Sequence, residues 1–155
     1  MPHDTDHAQV LVPPPLIFLG YLVGALLLNW AVPFPIPSGS PVRAAGALLI
    51  VSGLLLGGFA ISQMLKEHAS PGPHAPTTVV VTQGPYRFTR NPIYLGFFLI
   101  YLGFTLLNAT LWGLVLSPFL LTTVNRAVIQ PEETYLGSKF PDEYPAYKAR
   151  VRRWI

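Results

Sequence analysis

The chain has 155 residues, of which 51% are hydrophobic and only 11% are charged, and its formal net charge is +3. A soluble domain normally carries about 25% charged residues, so this composition excludes a soluble globular domain, a disordered chain and a coiled coil. Positive charges serve to orient membrane proteins, so we predict no nucleic-acid partner. The sequence contains no cysteine, and we predict no metal site.

The first two predicted spans lie in stretches that carry no Asp, Glu, Lys or Arg apart from Arg43. They cover about 15–32 and about 42–65, and each is long enough to cross a bilayer. Each also contains two glycines four positions apart, a spacing that lets membrane helices approach closely. This spacing predicts a contact between the two spans, although glycine is also common in membrane helices; the pairs are Gly20 and Gly24, and Gly53 and Gly57.

A polar segment, 66–90, follows the second span. Its β-branched run Thr77–Thr82 favours an extended conformation, which we expect to cover a ligand. The pair Asn91-Pro92 is typical of a helix start, with asparagine as the cap and proline at the first helical position. A third span therefore begins at Pro92.

The third and fourth predicted spans form a helical hairpin. The third covers about 92–107 and the fourth about 111–129, with the tight turn 108–110 between them. Apart from Arg126 near the end of the fourth, neither span carries an acidic or basic side chain, and the third is short for a perpendicular crossing at about 1.5 Å per residue.

The tail after Gln130 carries apolar and aromatic residues three and four positions apart, with basic residues between them. This pattern predicts an amphipathic helix that lies on an anionic membrane surface. A helix packed on the protein's own cytoplasmic loop is an equally good interpretation, and the two are compatible. The stripe is Phe140, Tyr144, Tyr147, Val151 and Trp154, and the basic residues are Lys148, Arg150, Arg152 and Arg153.

The predicted fold is an all-α integral membrane protein with four transmembrane helices and a C-terminal interfacial helix. We treat 1–155 as one membrane domain, with two N-terminal spans in 1–65 and the loop, hairpin and tail in 66–155. Four spans place nine of the ten Lys and Arg residues on one side and only Arg43 on the other. The positive-inside rule then places both termini in the cytoplasm, and we expect a prokaryotic inner membrane.

The polar residues collect at the cytoplasmic end of the hairpin. Because a hairpin brings its two ends together, Arg90, Asn91 and Tyr94 should lie near Glu132 and Glu133. Carboxylates can bind an ammonium group and arginine can bind a carboxylate with two hydrogen bonds. The aromatic rings nearby, which can pack on a base or approach a cation, are Tyr86, Phe88 and Tyr94.

This set of groups predicts a site for a zwitterionic cofactor with an amine, a carboxylate and a cationic centre. Each group also has an ordinary structural interpretation. Arg90 can anchor the helix at the cytoplasmic surface. Glu132 and Glu133 can interact with the positive end of a helix that begins at Pro131.

Three motifs carry a family resemblance over about 77–155: Gly84-Pro85-Tyr86, Arg90-Asn91-Pro92-Ile93-Tyr94-Leu95-Gly96, and Glu132-Glu133-x-x-Leu136 followed by Phe140, Tyr144 and Tyr147-Lys148. Together they resemble the isoprenylcysteine carboxyl methyltransferase and phospholipid N-methyltransferase superfamily. The resemblance implies a membrane-embedded enzyme that uses S-adenosyl-L-methionine and releases S-adenosyl-L-homocysteine. Its implied partners are membrane lipids and a lipophilic or lipidated methyl acceptor.

The resemblance also implies roles for individual residues. Catalytic roles fall on Arg90, Asn91 and Glu133, and one of the two glutamates matches the acid that binds the amino-acid end of the cofactor. Asparagine cannot titrate, so Asn91 is not expected to act as a general base, and Arg126 is the nearest candidate for a substrate-contacting arginine. The implied cofactor-binding residues are Thr78, Val79, Val80, Val81, Gly84, Tyr86, Asn91, Pro92, Ile93, Tyr94, Glu132 and Glu133.

Two other functions stay open at this point. Sterol and steroid reductases resemble this superfamily in their C-terminal hairpin and bind a nicotinamide nucleotide there, although they are much longer. A small non-enzymatic membrane protein would bind no cofactor at all. The sequence leaves open which molecule accepts the methyl group and whether the chain forms oligomers.

Overall fold

Helices are the regular secondary structure of the part that the computed structural model describes, residues 8, 10, 12–70 and 77–155. A 3-10 turn covers Gly84–Arg87, and a π turn, Asn125–Ile129, joins the fourth and fifth helices without a break. No β-strand occurs within these ranges, so the all-α prediction is confirmed. The helices are α1 (Pro14–Ala31), α2 (Ser40–Lys66), α3 (Pro92–Leu107), α4 (Leu111–Val124), α5 (Gln130–Lys139) and α6 (Glu143–Arg150).

Three stretches of helix are long and apolar enough to cross a membrane. They are α1, α2 and the continuous helix Leu111–Lys139 that α4, the π turn and α5 form together. The third predicted span, α3, has 16 residues and reaches about 24 Å. It is therefore shorter than the hydrocarbon core of about 30 Å, and the structure supports three candidate spans where the sequence predicts four.

Helix α2 packs along α3 through pairs of glycines. A Cβ atom on Gly53 would lie 2.5 Å from the carbonyl oxygen of Gly96, and a Cβ atom on Gly96 would lie 2.7 Å from that of Gly53. Gly46 and Gly103 face each other in the same way. Since Gly46 pairs with Gly103 and Gly53 pairs with Gly96, the two helices run antiparallel. Helix α3 therefore lies alongside most of the length of α2.

The glycine-mediated contact between the first two spans is not formed. The two glycines of α1, Gly20 and Gly24, have no atom within 4 Å of where a Cβ would be. Helix α1 packs instead on α4 and α3, and the hydroxyl groups of Tyr21 and Thr123 share a hydrogen bond of 2.7 Å. The glycine spacing marked a close contact only in the second span, at Gly53, and it could not identify the partner helix.

The hairpin between α3 and α4 is confirmed. The Thr110 side chain caps α4 by accepting a hydrogen bond from the backbone N–H of Trp112. The linker after α1 closes over this turn, because the N–H of Leu111 donates to the carbonyl of Phe34 at 2.7 Å. The indole N–H of Trp112 also donates to the carbonyl of Val32 at 2.8 Å. These contacts fix the end of the molecule opposite the glutamates.

The π turn marks the place where the apolar helix becomes polar. The backbone N–H of Gln130 donates to the carbonyl of Asn125, five residues earlier. Pro131 follows directly and has no N–H to donate, so a regular α-helix would leave the carbonyl of Ala127 without its partner. The wider turn accommodates this proline, and the helix continues through it rather than beginning there as the sequence predicts.

The predicted C-terminal helix is shorter than its aromatic stripe. Phe140 ends α5 because a residue that precedes a proline, here Pro141, avoids the helical conformation. Helix α6 then ends at Arg150, and Val151 is extended. Tyr144 and Tyr147 are each only 4% exposed and pack with Val81 and Tyr86, so the stripe faces the protein's own loop.

Candidate active site

The start of α3 lies beside the first turn of α5, as the hairpin predicts. The Tyr94 hydroxyl donates a hydrogen bond of 2.6 Å to the carboxylate of Glu132. The Arg90 guanidinium lies 3.1 Å from the carboxylate of Glu133. Two pairs of residues about 40 positions apart thus meet at the end of the hairpin away from its turn.

The two adjacent glutamates have different electrostatic environments. Glu133 is 10% exposed and forms ion pairs with three cations: Arg90, Arg153 and Lys148. The Arg153 guanidinium binds it with two hydrogen bonds, of 2.9 and 2.8 Å. No ion pair to Glu132 occurs in the described ranges, and its carboxylate accepts only the Tyr94 hydroxyl there. The charge of Glu133 is therefore compensated within the protein, whereas that of Glu132 is not.

A cavity of about 130 Å³ opens between these residues and the extended segment before α3. One wall is polar and the other is apolar and aromatic. All of the sequence-predicted site residues except two line it, namely Val79, Val80, Val81, Tyr86, Arg90, Asn91, Pro92, Ile93, Tyr94, Glu132 and Glu133.

The two predicted residues outside the cavity are Thr78 and Gly84. The exposed Thr78 turns its hydroxyl away and donates it to the carbonyl of His68 at 3.1 Å. Gly84 has a φ of +58°, which favours glycine, and faces the side chains of Gln63 and Phe59 on α2. The glycine is therefore required for the turn that places Tyr86, rather than for contact with a ligand.

Two further side chains proposed from the sequence point elsewhere. Phe88 is 78% exposed and does not line the cavity, so it cannot pack on a ligand there. Arg126 lies in the π turn, is exposed, and is absent from the cavity wall. Arg126 therefore lies apart from this cavity, and its contact with the substrate stays a prediction.

Some of the cavity wall was missed because its residues had another interpretation. Tyr144 and Tyr147 line the cavity, whereas the sequence predicts them only in an aromatic stripe that faces either the membrane surface or the protein's own loop. Arg153 was counted only as a topological charge, yet it forms the two-pronged pair with Glu133. The motif that contains Tyr144 and Tyr147-Lys148 was the available signal for the two tyrosines.

The tyrosines outside the membrane-spanning helices remain protonated. Burial raises the pKa of Tyr144 to about 12, and the Glu133 charge adds to this effect. Burial likewise raises the pKa of Tyr86 and of Tyr147 well above the ordinary value. The Tyr147 hydroxyl donates to the backbone carbonyl of Tyr86 at 2.7 Å. The hydroxyl groups of Tyr86 and Tyr144 can donate hydrogen bonds to a ligand, but none of the three phenols can serve as a general base at neutral pH.

Comparisons with known proteins identify the family of the chain. The family model described as phospholipid methyltransferase matches residues 42–143. An uncharacterized protein of Haemophilus influenzae is 47% identical over 66 residues, which is 41% of this chain and all of that protein. No solved structure matches the chain.

Two yeast enzymes also match part of the chain. The protein-S-isoprenylcysteine O-methyltransferase of Schizosaccharomyces pombe is 36% identical over 73 residues, and that of Saccharomyces cerevisiae is 40% identical over 73 residues. Each match covers 47% of this chain but only 31% and 30% of the two enzymes. Since the family model covers about two thirds of the sequence, the chain belongs to the phospholipid methyltransferase family.

Proposed function

We propose that the protein is an S-adenosylmethionine-dependent methyltransferase of the membrane that methylates a lipophilic acceptor. The observation that carries this proposal is the cavity at the end of the hairpin, with the Glu132 carboxylate on its wall and no cation paired with it among the described residues. Membership of the phospholipid methyltransferase family supports methyl transfer as the chemistry. The names of the two yeast relatives support a lipid-modified acceptor.

The groups in the cavity fit this cofactor. A partly buried carboxylate is unfavourable unless a cation approaches it, and the ammonium group of the cofactor is such a cation. Val79, Val80 and Tyr86 provide apolar and aromatic surface that suits an adenine ring. When bound, S-adenosylmethionine supplies an electrophilic methyl group and leaves as S-adenosylhomocysteine.

In this proposal the residues of the cavity bind and orient rather than react. Glu132 binds the ammonium group, and the Tyr94 hydroxyl fixes the direction of the carboxylate. Asn91 donates its side-chain N–H to the carbonyl of Arg153 at 2.9 Å, which leaves its side-chain oxygen as an acceptor. Arg90 and Glu133 are engaged with each other, so we assign them a positioning role. Holding two reactants in place can lower the activation barrier by up to about 7–11 kcal/mol.

The cavity favours an acceptor that needs no general base. No histidine is among the described residues that line it, and burial raises the pKa of Tyr86, Tyr144 and Tyr147. A carboxylate is already a nucleophile at neutral pH, whereas a protonated amine must first lose a proton. Among oxygen, nitrogen and sulfur nucleophiles, we therefore favour a carboxylate carried by a lipid or a lipidated molecule.

We further propose a single membrane domain with four spans and both termini in the cytoplasm. The glycine pairs that set α3 antiparallel to α2 support a full crossing by the short third helix. The distribution of Lys and Arg supports the orientation. A prokaryotic inner membrane is in line with the match to the whole of the Haemophilus protein.

Thermal unfolding in detergent with added nucleotides tests the function. S-adenosylhomocysteine should raise the unfolding temperature of the purified protein, because a ligand that binds only the folded state stabilises it. NADPH at the same concentration should have no effect. Protection by NADPH alone would support a reductase instead, and protection by neither compound would contradict the proposed cofactor.

A further inference from the structure

The C-terminal residues after α6 cross over the start of α3. We call Val151–Ile155 the C-terminal strap. The backbone N–H of Arg90 donates to the carbonyl of Arg152 at 3.0 Å. The Thr89 hydroxyl and the Asn91 side chain both donate to the carbonyl of Arg153, at 3.1 and 2.9 Å. The strap is thus attached to three consecutive residues that precede α3.

The side chain of Arg153 extends the same attachment to α5. Its guanidinium donates two hydrogen bonds to the Glu133 carboxylate, and this pairing raises the pKa of Arg153. Glu133 in turn pairs with Arg90, whose guanidinium also lies 3.4 Å from the Tyr144 hydroxyl. The backbone and side chain of one residue therefore connect the two helices that form the polar wall of the cavity.

The far side of the strap is also anchored. Trp154 is partly buried and packs against the apolar cluster that contains Ile17 and Phe18 of α1. The strap therefore extends from α6 across the start of α3 to this apolar cluster. Because both of its ends are held, the position of Arg153 is determined by the fold.

We propose that Arg153 is a positioning residue for cofactor binding, an inference that rests on the proposed function. It does not line the cavity, yet it binds two residues that do, Asn91 and Glu133, and through Glu133 it is linked to a third, Arg90. Its pair with Glu133 neutralises that carboxylate, so that Glu132 is the acid left for the cofactor's ammonium group. Its carbonyl fixes the Asn91 amide with the side-chain oxygen free to accept.

Calorimetric titration of the full-length protein with S-adenosylhomocysteine tests this inference. Arg153→Gln should weaken binding about tenfold, because the charge-assisted bonds to Glu133 are lost. Arg153→Lys should weaken it about threefold, because lysine keeps the charge but lacks the planar two-pronged donor. Arg150→Gln is the matched control, since Arg150 is exposed on α6 and contacts only its own helix, and it should bind as wild type.

A double-mutant cycle with Glu133→Gln separates positioning from general stability. If Arg153 acts through Glu133, Arg153→Gln should cause much less additional loss of affinity in the Glu133→Gln background than in wild type. Affinity is compared at equal folded fraction, measured by far-UV circular dichroism. A simple loss of stability lowers the unfolding temperature but leaves the affinity of the folded protein unchanged.

The outcomes are distinct. Wild-type affinity in folded Arg153→Gln and Arg153→Lys would overturn this inference and leave the proposed function intact. If Arg153→Gln does not fold, Arg153→Lys decides alone, and wild-type affinity there overturns the inference. Failure of the wild-type protein and of Arg150→Gln to bind S-adenosylhomocysteine would instead overturn the proposed function itself.

Discussion

Tyr94 and Glu132 lie 38 positions apart in the sequence, and the hydroxyl oxygen of one is 2.6 Å from the carboxylate of the other. The hydrogen bond joins α3 to α5 at the wall of the cavity. The two neighbouring acids therefore have different partners: Glu132 accepts a hydrogen bond from a neutral hydroxyl group, whereas Glu133 forms ion pairs with three cations. The two glutamates should therefore respond differently to substitution.

We expect Glu132→Gln to weaken binding of S-adenosylhomocysteine at least tenfold, because a neutral amide loses the charge-assisted bond to an ammonium group, worth about 1.5–3 kcal/mol. Calorimetry measures this affinity. Glu143→Gln, a change at an exposed acid on α6, should bind as wild type. An unchanged affinity in Glu132→Gln would reject Glu132 as the cofactor's acid.

Glu133→Gln should lower stability as well as cofactor affinity. The substitution leaves the buried Arg90 and its two neighbouring cations without a carboxylate, and breaking a buried ion pair costs about 3–5 kcal/mol. The unfolding temperature measured by circular dichroism should therefore fall well below that of Glu132→Gln. Equal unfolding temperatures for the two variants would contradict the asymmetry between the glutamates.

Tyr94→Phe separates a hydroxyl contact from packing of the ring. Loss of one hydrogen bond to a carboxylate should weaken cofactor affinity by roughly three- to tenfold. Tyr101→Phe is a suitable control, because that hydroxyl donates to the carbonyl of Gly113 inside the helices, away from the cavity. Tyr101→Phe should lower stability without changing affinity, and the same behaviour in Tyr94→Phe would indicate simple packing.

Arg90→Lys should reduce methyl transfer about tenfold while expression and membrane insertion stay normal. The Arg90 guanidinium contacts both Glu133 and Tyr144, and lysine cannot reproduce its planar set of donors. A radiolabelled methyl-transfer assay measures the loss, with the exposed Arg87→Lys as control. Normal turnover in Arg90→Lys would show that Arg90 only anchors the helix.

Gly53→Ala should lower the free energy of unfolding by about 1–3 kcal/mol, because the added methyl group meets the backbone of Gly96 and overpacking is destabilising. Gly57→Ala, in the same helix, places its methyl group in open space and should be nearly neutral. Thermal unfolding in detergent compares the two variants. Equal stability would contradict the close packing of α2 on α3.

Single cysteines can test the topology without background labelling, because the chain contains no native cysteine. With four spans, Ser38→Cys is expected to react only from the outside and Ser138→Cys only from the cytoplasm. Both serines are exposed in the structure, so accessibility should not limit the reaction. Labelling of both positions from the same side would overturn the four-span proposal.

The sequence was sufficient to predict the features that depend on local chemistry. Asn91-Pro92 marks the observed start of α3, and the turn before Leu111 produces the hairpin. The hairpin alone brings Arg90 and Tyr94 to the glutamates, since the geometry of two antiparallel helices requires it. The three motifs of the resemblance then selected most of the cavity wall correctly.

Features that depend on tertiary packing could not be predicted from the sequence. Gly53 packs closely on α3 rather than on α1. The sequence could not show this, because any helix with a matching small residue fits the same glycine spacing. The aromatic stripe could face lipid or protein, and only the fold shows that Tyr147 meets Tyr86. In the sequence, nothing distinguishes Arg153 from the other basic residues of the tail, and only the structure shows its two hydrogen bonds to Glu133.

The π turn before Pro131 determines the side of the helix from which the carboxylates of Glu132 and Glu133 project. Relative to a regular helix, one additional residue in a turn rotates everything beyond it by about 100°. Removing one residue from Asn125–Ile129 would therefore swing Glu132 and Glu133 around the axis together, even though neither side chain was altered. Chain length in this turn is consequently under the same functional constraint as the acids themselves, and alanine insertions or deletions there should abolish cofactor binding while the apolar helix remains in the bilayer.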